Sequence, residues 1–220
     1  MSAENSADAQ IGDRREHERK RMHPIRLCAM CAIAISSAFS AAAATTYEAV
    51  RDYSIKANPT GPWGYLDENG LLTTSTRAYY GIKGLWAWTN GQAFCNTSVV
   101  SRNRTGGTVT YSTLVQPTNE LRLDPEANAF NTVRFQAPNA GSYNVSGLFR
   151  GIDTEQQSHQ VSITLNGVSQ YTKVIDAYGE VGHFKLALTL STGDTLDFVV
   201  QTGASCFSLS TGLSVKIVGP

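Results

Sequence analysis

Aromatic side chains are the residues of this chain whose types and spacing could best support binding chemistry. Three tryptophans and three tyrosines fall within 26 positions: Trp63, Tyr65, Tyr79, Tyr80, Trp86 and Trp88. Trp86 and Trp88 flank a single residue, so on a β-strand both rings point to one face. Such rings can stack on the apolar C–H side of a sugar, or they can fill a sandwich core, where each buries ~150–250 Å². We take four of them as candidate ligand-binding residues, with core packing as the open alternative: Trp63, Tyr65, Trp86 and Trp88.

Carboxylate pairs are the next candidates for chemistry. Asp67 and Glu68 are adjacent, and Asp153 and Glu155 are two positions apart. A glycosidase needs two carboxyl groups about 5–10 Å apart across a sugar ring, and adjacent loop acids are usually only solvated. The chain contains no nucleophile elbow and no glycine-rich phosphate loop. We therefore predict no catalytic residues and a protein that is not an enzyme.

Metal and cofactor chemistry has weak support. Asp52, Asp153 and Asp197 could offer oxygen ligands to a structural calcium ion, but no dense D-x-D-x-D spacing accompanies them. We expect His159 and His183 to be exposed structural residues, because neither belongs to a metal-binding or triad pattern. The prediction is no cofactor and no metal.

Residues 22–44 have the pattern of an export signal. A short basic start (MHPIR) precedes an apolar run over 27–39 and then four alanines at 41–44. The run is shorter than the ~20 residues that span a bilayer, so we expect cleavage near Ala44 and no transmembrane anchor. Cys28 and Cys31 lie inside this apolar run, so we do not interpret their spacing as a metal-binding motif. Residues 1–21 are either a disordered charged leader or an artefact of a start codon placed before Met22.

Two cysteines, Cys95 and Cys206, are left after the expected cleavage. An exported chain folds where thiols oxidise, and a lone pair there is usually bridged. Both follow loop-like segments, so we predict a disulfide between them. Two unrelated buried thiols are the alternative. The protein is expected to be secreted, periplasmic or on the cell surface.

The charge balance argues against polyanionic partners. The whole chain has 18 basic and 18 acidic residues, and positions 45–220 keep 12 and 13 of them, a net charge of −1. No basic stripe remains, so nucleic acid and anionic membranes are poor candidates. Residues 45–220 have a length that suits one domain.

Period-two alternation predicts an all-β fold. In the second half, alternating segments separated by turns occupy 131–136, 143–149, 161–165, 168–175, 184–190, 195–200 and 213–217. The Asn166–Gly167 dipeptide predicts a two-residue hairpin, because a type I′ turn needs positive φ at both central positions. In the first half we expect an opening strand over 47–56 and short strands at 63–66, 79–82, 85–88, 98–102, 109–112 and 120–123. Such spacing is typical of an antiparallel β-sandwich or β-barrel.

Several segments resemble a known group of proteins. They are 58–65 (NPTGPWGY), 133–147 (VRFQAPNAGSYNVSG), 165–168 (LNGV), 190–198 (LSTGDTLDF) and 210–213 (STGL). They are similar to bacterial exported jelly-roll domains of the kind found in proteins with a Pro-Glu-Pro C-terminal sorting signal. Those domains look like relatives of galactose-binding-like carbohydrate-binding modules. The resemblance implies a jelly roll and a non-catalytic exported domain that associates with a glycan or the extracellular matrix. A structural or interaction protein of the envelope without a small ligand is the alternative, and a glycan-active enzyme is the third.

Overall fold

Alternating residues form two antiparallel sheets that share one core. The structure is a computed structural model, and it describes residues 43–93 and 95–220. The proposed export signal therefore lies almost entirely outside the described residues. The strands of the described part are β1 (Thr45–Glu48), β2 (Trp63–Asp67), β3 (Gly70–Leu71), β4 (Thr74–Thr76), β5 (Leu85–Thr89), β6 (Val99–Asn103), β7 (Val109–Tyr111), β8 (Leu114–Gln116), β9 (Leu121–Asp124), β10 (Phe130–Gln136), β11 (Gly141–Gly151), β12 (His159–Leu165), β13 (Val168–Ile175), β14 (Val181–Leu190), β15 (Thr195–Gln201) and β16 (Thr211–Gly219).

The strand order gives a jelly-roll-like sandwich. The larger sheet runs β14-β11-β16-β9-β6-β5-β4, and β1 pairs with β16 as well. The smaller sheet runs β13-β12-β15-β10-β2-β3. The described residues belong to one compact unit. The predicted all-β, antiparallel fold is confirmed.

The core lies between the two sheets and follows from strand register. Val133 of β10 pairs with Tyr65 on one side and with Phe198 on the other, so the three side chains form a row on the inner face. All three are fully buried. Phe184 of the larger sheet meets Phe198 with ring centroids 5.7 Å apart, which ties the sheets together. Aromatic pairs of this kind contribute about 0.5–1.5 kcal/mol beyond the area they bury.

The predicted hairpin at Asn166–Gly167 is present. Leu165 pairs with Val168 across a two-residue loop, and φ is 49° at Asn166 and 82° at Gly167. Positive φ at both positions is what a type I′ turn requires, and glycine adopts it without steric cost.

Two predicted strands of the first half are wrong. The opening strand ends at Glu48, and one helical turn follows, α1 (Ala49–Asp52), because the Asp52 carboxylate accepts a hydrogen bond from the Glu48 N–H. Residues 79–81 form a 3₁₀ turn in place of a strand, with positive φ at Tyr80 and Gly81. Among the described residues, no helix has the length and apolar character needed to cross a membrane.

A third layer covers part of the larger sheet. The β7–β8 hairpin packs on its outer face, where Gln116 accepts a hydrogen bond from Ser101 (3.2 Å) and another from the Asn103 amide (2.9 Å). All three side chains are buried. A hairpin that covers half of a sheet face leaves a step at its edge, and the candidate site lies at that step.

Candidate functional site

The four aromatic residues predicted to bind a ligand lie in two different environments. Trp63 and Tyr65 are fully buried on β2, and Trp88 is 6% exposed on β5. The Trp88 ring N–H donates to the Ser54 carbonyl at 2.7 Å, which fixes the ring in the interior. These three are core residues, the alternative that the sequence left open. Trp86 is half-buried at the rim of the core, so a binding role for it stays a prediction.

The three acids considered for calcium lie apart and have separate partners. Asp52 accepts hydrogen bonds from Arg51 and Trp63, and Asp197 forms two with Arg134 at 2.7 and 2.8 Å. Asp153 is buried in the loop after β11. No group of three or more potential metal ligands occurs within residues 43–93 and 95–220.

A cleft of about 550 Å³ opens on the outer face of the larger sheet, beside the β7–β8 hairpin. Its floor is Arg122 and Asp124 of β9. Its walls are Tyr80, the hairpin tip at 111–114 and the loops at 153–157 and 206–210. This volume is within the ~300–1,000 Å³ typical of small-molecule sites.

Stacked tyrosine rings form one side of the cleft. The Tyr80 and Tyr111 centroids are 4.1 Å apart with an interplanar angle of 8°, and Tyr79 packs on Tyr80 at 4.2 Å. Tyr80 is 36% exposed and Tyr111 45%. The cleft therefore presents flat, rigid aromatic surface next to polar groups.

A buried arginine network forms the floor. The Arg122 side chain forms an ion pair with Asp124, its Nε donates to the Ser210 hydroxyl at 3.1 Å, and its Nη2 donates to the Tyr80 hydroxyl at 3.3 Å. Nη1 of Arg122 has no protein partner in the described structure. An unpaired buried donor costs about 1–3 kcal/mol, so the arginine floor is held in place by its other contacts.

Burial and charge set the protonation of the floor. Burial disfavours the charged guanidinium, but Asp124, Tyr80 and Tyr79 together outweigh that effect, and the pKa of Arg122 is raised. Burial raises the pKa of Asp124 and the charge of Asp153 adds to the rise, while Arg122 opposes it. The Arg122 guanidinium thus stays charged. Its charge favours the ionised form of Asp124, which burial and the charge of Asp153 disfavour.

The cleft walls are tied together by Asp153 and Gln156. The two Asp153 carboxylate oxygens accept from the Thr113 hydroxyl at 2.6 Å and from the Ser210 N–H at 2.8 Å. The Gln156 amide donates to the Ser208 carbonyl at 2.9 Å. These bonds join the hairpin tip to both loops, so the cleft is shaped before any ligand enters.

Unusual backbone conformations gather at the same place. Six described non-glycine residues have positive φ, and two are asparagines, which tolerate it. The other four, Tyr80, Cys95, Ser112 and Ser208, all line this cleft or the small pocket next to it, which shares Tyr80, Asp124 and Cys206. Such conformations cost about 1–3 kcal/mol each and cluster at functional sites.

The predicted disulfide between Cys95 and Cys206 is present, with Cα atoms 5.1 Å apart. It joins the β5–β6 loop to the β15–β16 loop. Cys206 lines the cleft, so the bond fixes one wall of the site.

The expectation of an exposed His159 is wrong, whereas His183 is exposed. His159 is 5% exposed behind the cleft loops. Its Nδ1–H donates to the Gln157 carbonyl at 2.9 Å, which leaves Nε2 to accept from the Thr211 hydroxyl at 2.6 Å. Burial lowers the pKa of His159, although the Gln157 carbonyl opposes the change.

Sequence reasoning missed most of the cleft. Arg122 and Asp124 alternate with Leu121 and Leu123, which does place both polar side chains on one face of a strand. The missing information was that a hairpin covers that face. Tyr80 was noted as part of the aromatic cluster, but nothing local distinguishes it from the core aromatics.

No family model matches this chain, and no curated protein matches it. Among solved structures, a family 35 carbohydrate binding module from Clostridium thermocellum is similar over 80% of this chain and 98% of its own, at 13% identity and a TM-score of 0.33. The CBM35 from Paenibacillus barcinonensis is similar over 79% and 97%, at 14% identity and 0.34. Pika GITRL is similar over 40% and 76%, at 12% identity and 0.29. The fold assignment rests on the strand pairings given above, and the candidate site rests on its own geometry.

Proposed function

We propose that this protein is an exported, non-catalytic domain that binds carbohydrate in the cleft between Tyr80, Tyr111 and Arg122. The observation that carries the proposal is the stacked tyrosine pair that lines a polar cleft of about 550 Å³. The resemblance to exported proteins with a Pro-Glu-Pro sorting signal belongs to the same proposal and stays a prediction.

A sugar fits both kinds of surface in the cleft. One face of a pyranose carries C–H groups, which pack on an aromatic ring, and its edge carries hydroxyls that donate and accept. The exposed hydroxyls of Tyr111 and Ser112 supply donors, and Asp124 and the exposed Glu155 supply acceptors. A few polar groups placed beside aromatic surface are the usual composition of a small-molecule site.

The charge of the cleft favours a neutral sugar. Three carboxylates, Asp124, Asp153 and Glu155, face it together with one guanidinium, Arg122. A carboxylated or sulfated sugar would enter a site with excess negative charge, and that like-charge contact opposes binding. We therefore expect a neutral mono- or disaccharide unit of a longer glycan.

The hydrogen bonding of the carboxylates supports binding without catalysis. A general acid or base must be able to reach the proton it transfers. Both oxygens of Asp153 are engaged by Thr113 and Ser210, and Asp124 is held by Arg122. These groups hold the cleft in shape, which suits recognition.

Export is supported by two features. Residues 22–44 have a signal-like sequence, and the Cys95–Cys206 disulfide persists in oxidising compartments. We propose a secreted, periplasmic or cell-surface location.

The proposal is tested by a glycan-array screen, followed by calorimetric titration of the best neutral glycan. Tyr111→Ala should weaken binding about 10- to 30-fold, the range expected for loss of an anchoring aromatic side chain. Tyr178→Ala is the matched control, because Tyr178 is 52% exposed but lies outside the cleft. It should leave affinity unchanged.

Three results would contradict the proposal. An array with no bound glycan would favour the structural or interaction protein of the envelope. Equal losses for Tyr111→Ala and Tyr178→Ala would place binding elsewhere. Release of reducing sugar from the bound glycan would favour the glycan-active enzyme.

A further inference from the structure

Arginines gather around Trp86 on the opposite side of the larger sheet from the cleft. The Arg104 guanidinium carbon lies 4.2 Å from the Trp86 ring centroid, and that of Arg77 lies 5.5 Å from it. Arg102 is the cross-strand partner of Trp86, and its Nη1 donates to the Arg51 carbonyl at 3.3 Å. We call Arg51, Arg77, Trp86, Arg102 and Arg104 the arginine surface.

Strand register explains why these residues share one face. Thr76 pairs with Ala87, so Arg77 falls opposite Trp86 as the chain leaves β4. Trp86 pairs with Arg102, and Arg104 follows two positions later on the same face. Trp88 of that face enters the core, which places Trp86 at the rim, where the sandwich opens to solvent.

The arginines around Trp86 differ from the other described arginines because they form no ion pairs with carboxylates. The described chain contains seven arginines, and four of them form ion pairs, namely Arg51, Arg122, Arg134 and Arg150. Within residues 43–93 and 95–220, no carboxylate pairs with the other three, which are Arg77, Arg102 and Arg104. All three lie at Trp86.

Arg102 is incompletely hydrogen-bonded and lies close to another positive charge. Its Nε is buried without a hydrogen-bond partner. Burial lowers the pKa of Arg102, and the nearby charge of Arg104 lowers it further, against smaller opposing effects of Tyr65, Tyr53 and Asp52. The nearby acids, Glu48 and Asp52, are both engaged by Arg51. An anion bound by the exposed Arg104 would relieve this repulsion.

We propose that the arginine surface binds the anionic substituents of a polysaccharide, carboxylate or sulfate ester, through Arg77 and Arg104, which Trp86 holds in position. Guanidinium groups match both anions with paired hydrogen bonds. The Trp86 ring holds both exposed guanidinium groups, Arg77 and Arg104, at this surface through cation–π contacts. Three unpaired arginines suit one or two charged sugars better than a nucleic acid, whose binding proteins commonly make 6–10 phosphate contacts.

This inference does not rest on the neutral-sugar cleft. The two sites are on opposite faces of the sheet and have opposite charge. Each therefore has its own ligand and its own variants, and either proposal can fail alone.

The test measures binding of the full chain to dextran sulfate, polygalacturonate and uncharged dextran by calorimetric titration at about 50 mM NaCl, where charge contacts are weakly screened. We expect binding to one or both anionic polymers and none to dextran. Arg77→Gln with Arg104→Gln should weaken it at least about tenfold. Arg104→Lys should also weaken it, because an ammonium keeps the charge but lacks the planar, paired donors.

The matched control removes two charges from the outer face. Lys185 and Lys216 are exposed there, and both flank Ser146 in the strand register, so Lys185→Gln with Lys216→Gln changes net charge equally. It should leave affinity within about twofold. Arg77 and Arg104 are exposed, so unchanged thermal unfolding should accompany their loss of binding.

The outcomes separate the alternatives. Binding to dextran sulfate alone identifies sulfate esters, and binding to polygalacturonate alone identifies carboxylates. Binding to neither polymer overturns the proposal. So does an equal loss in the lysine control, or equal affinity for a DNA duplex of the same charge density, since each indicates nonspecific charge attraction.

Discussion

The Cys95–Cys206 disulfide should supply a large share of the stability of this sandwich. The bond closes a loop of 111 positions between the β5–β6 and β15–β16 connections. Restricting the unfolded chain by a loop of that length stabilises the folded state by about 4.8 kcal/mol in the chain-entropy model. For a domain of this size each kcal/mol corresponds to about 2–4 °C in melting temperature, so the expected loss is about 10–19 °C.

Cys95→Ser with Cys206→Ser removes the bond without leaving a free thiol at either position. Thermal unfolding followed by circular dichroism should show the lower melting temperature. Urea unfolding should show a steeper dependence on denaturant, because the unlinked chain exposes more surface when it unfolds. Dithiothreitol should shift the wild-type protein towards the variant and leave the variant unchanged. A melting-temperature difference below about 3 °C would refute the reasoning.

Two further predictions concern pH and packing. His159 has a pKa below its unfolded value of about 6.5, so its contribution to stability is complete above that pH and is lost as the pH falls. The urea midpoint should therefore drop between pH 7 and pH 5 more in the wild type than in His159→Gln, and parallel curves would contradict this. Gly147→Ala should destabilise by about 1–3 kcal/mol, because the added methyl group would meet the Ser214 carbonyl and lie 2.7 Å from Phe184. Gly107→Ala enters open space and should leave the midpoint unchanged, and equal effects would exclude the packing explanation.

The fold was predictable because its determinants are local. Alternation at Val133 and Phe135 fixes which face of β10 is buried, and a one-residue slip would expose both. Asn166–Gly167 encodes its own turn. Residues 79–81 do not form the predicted strand, because the positive φ of Tyr80 depends on its packing against Tyr79 and Tyr111. Tertiary contacts overrode local propensity there.

The cleft was predictable only in part, because it depends on segments far apart in sequence. Arg122 is buried by the β7–β8 hairpin and a loop some 90 positions later, where Ser210 accepts its hydrogen bond. His159 is buried by Thr211 in the same way. A sequence shows which residues alternate, but it does not show which outer face another segment will cover.

The near-zero net charge of this chain conceals two regions of opposite sign. The cleft holds three carboxylates around Arg122, and the opposite side of the same sheet holds three arginines without ion pairs around Trp86. A whole-chain balance of 18 basic and 18 acidic residues thus excludes a protein-wide attraction to polyanions. It does not exclude a local one, since strand register assembles Arg77, Arg102 and Arg104 from segments that carry no basic stripe in sequence.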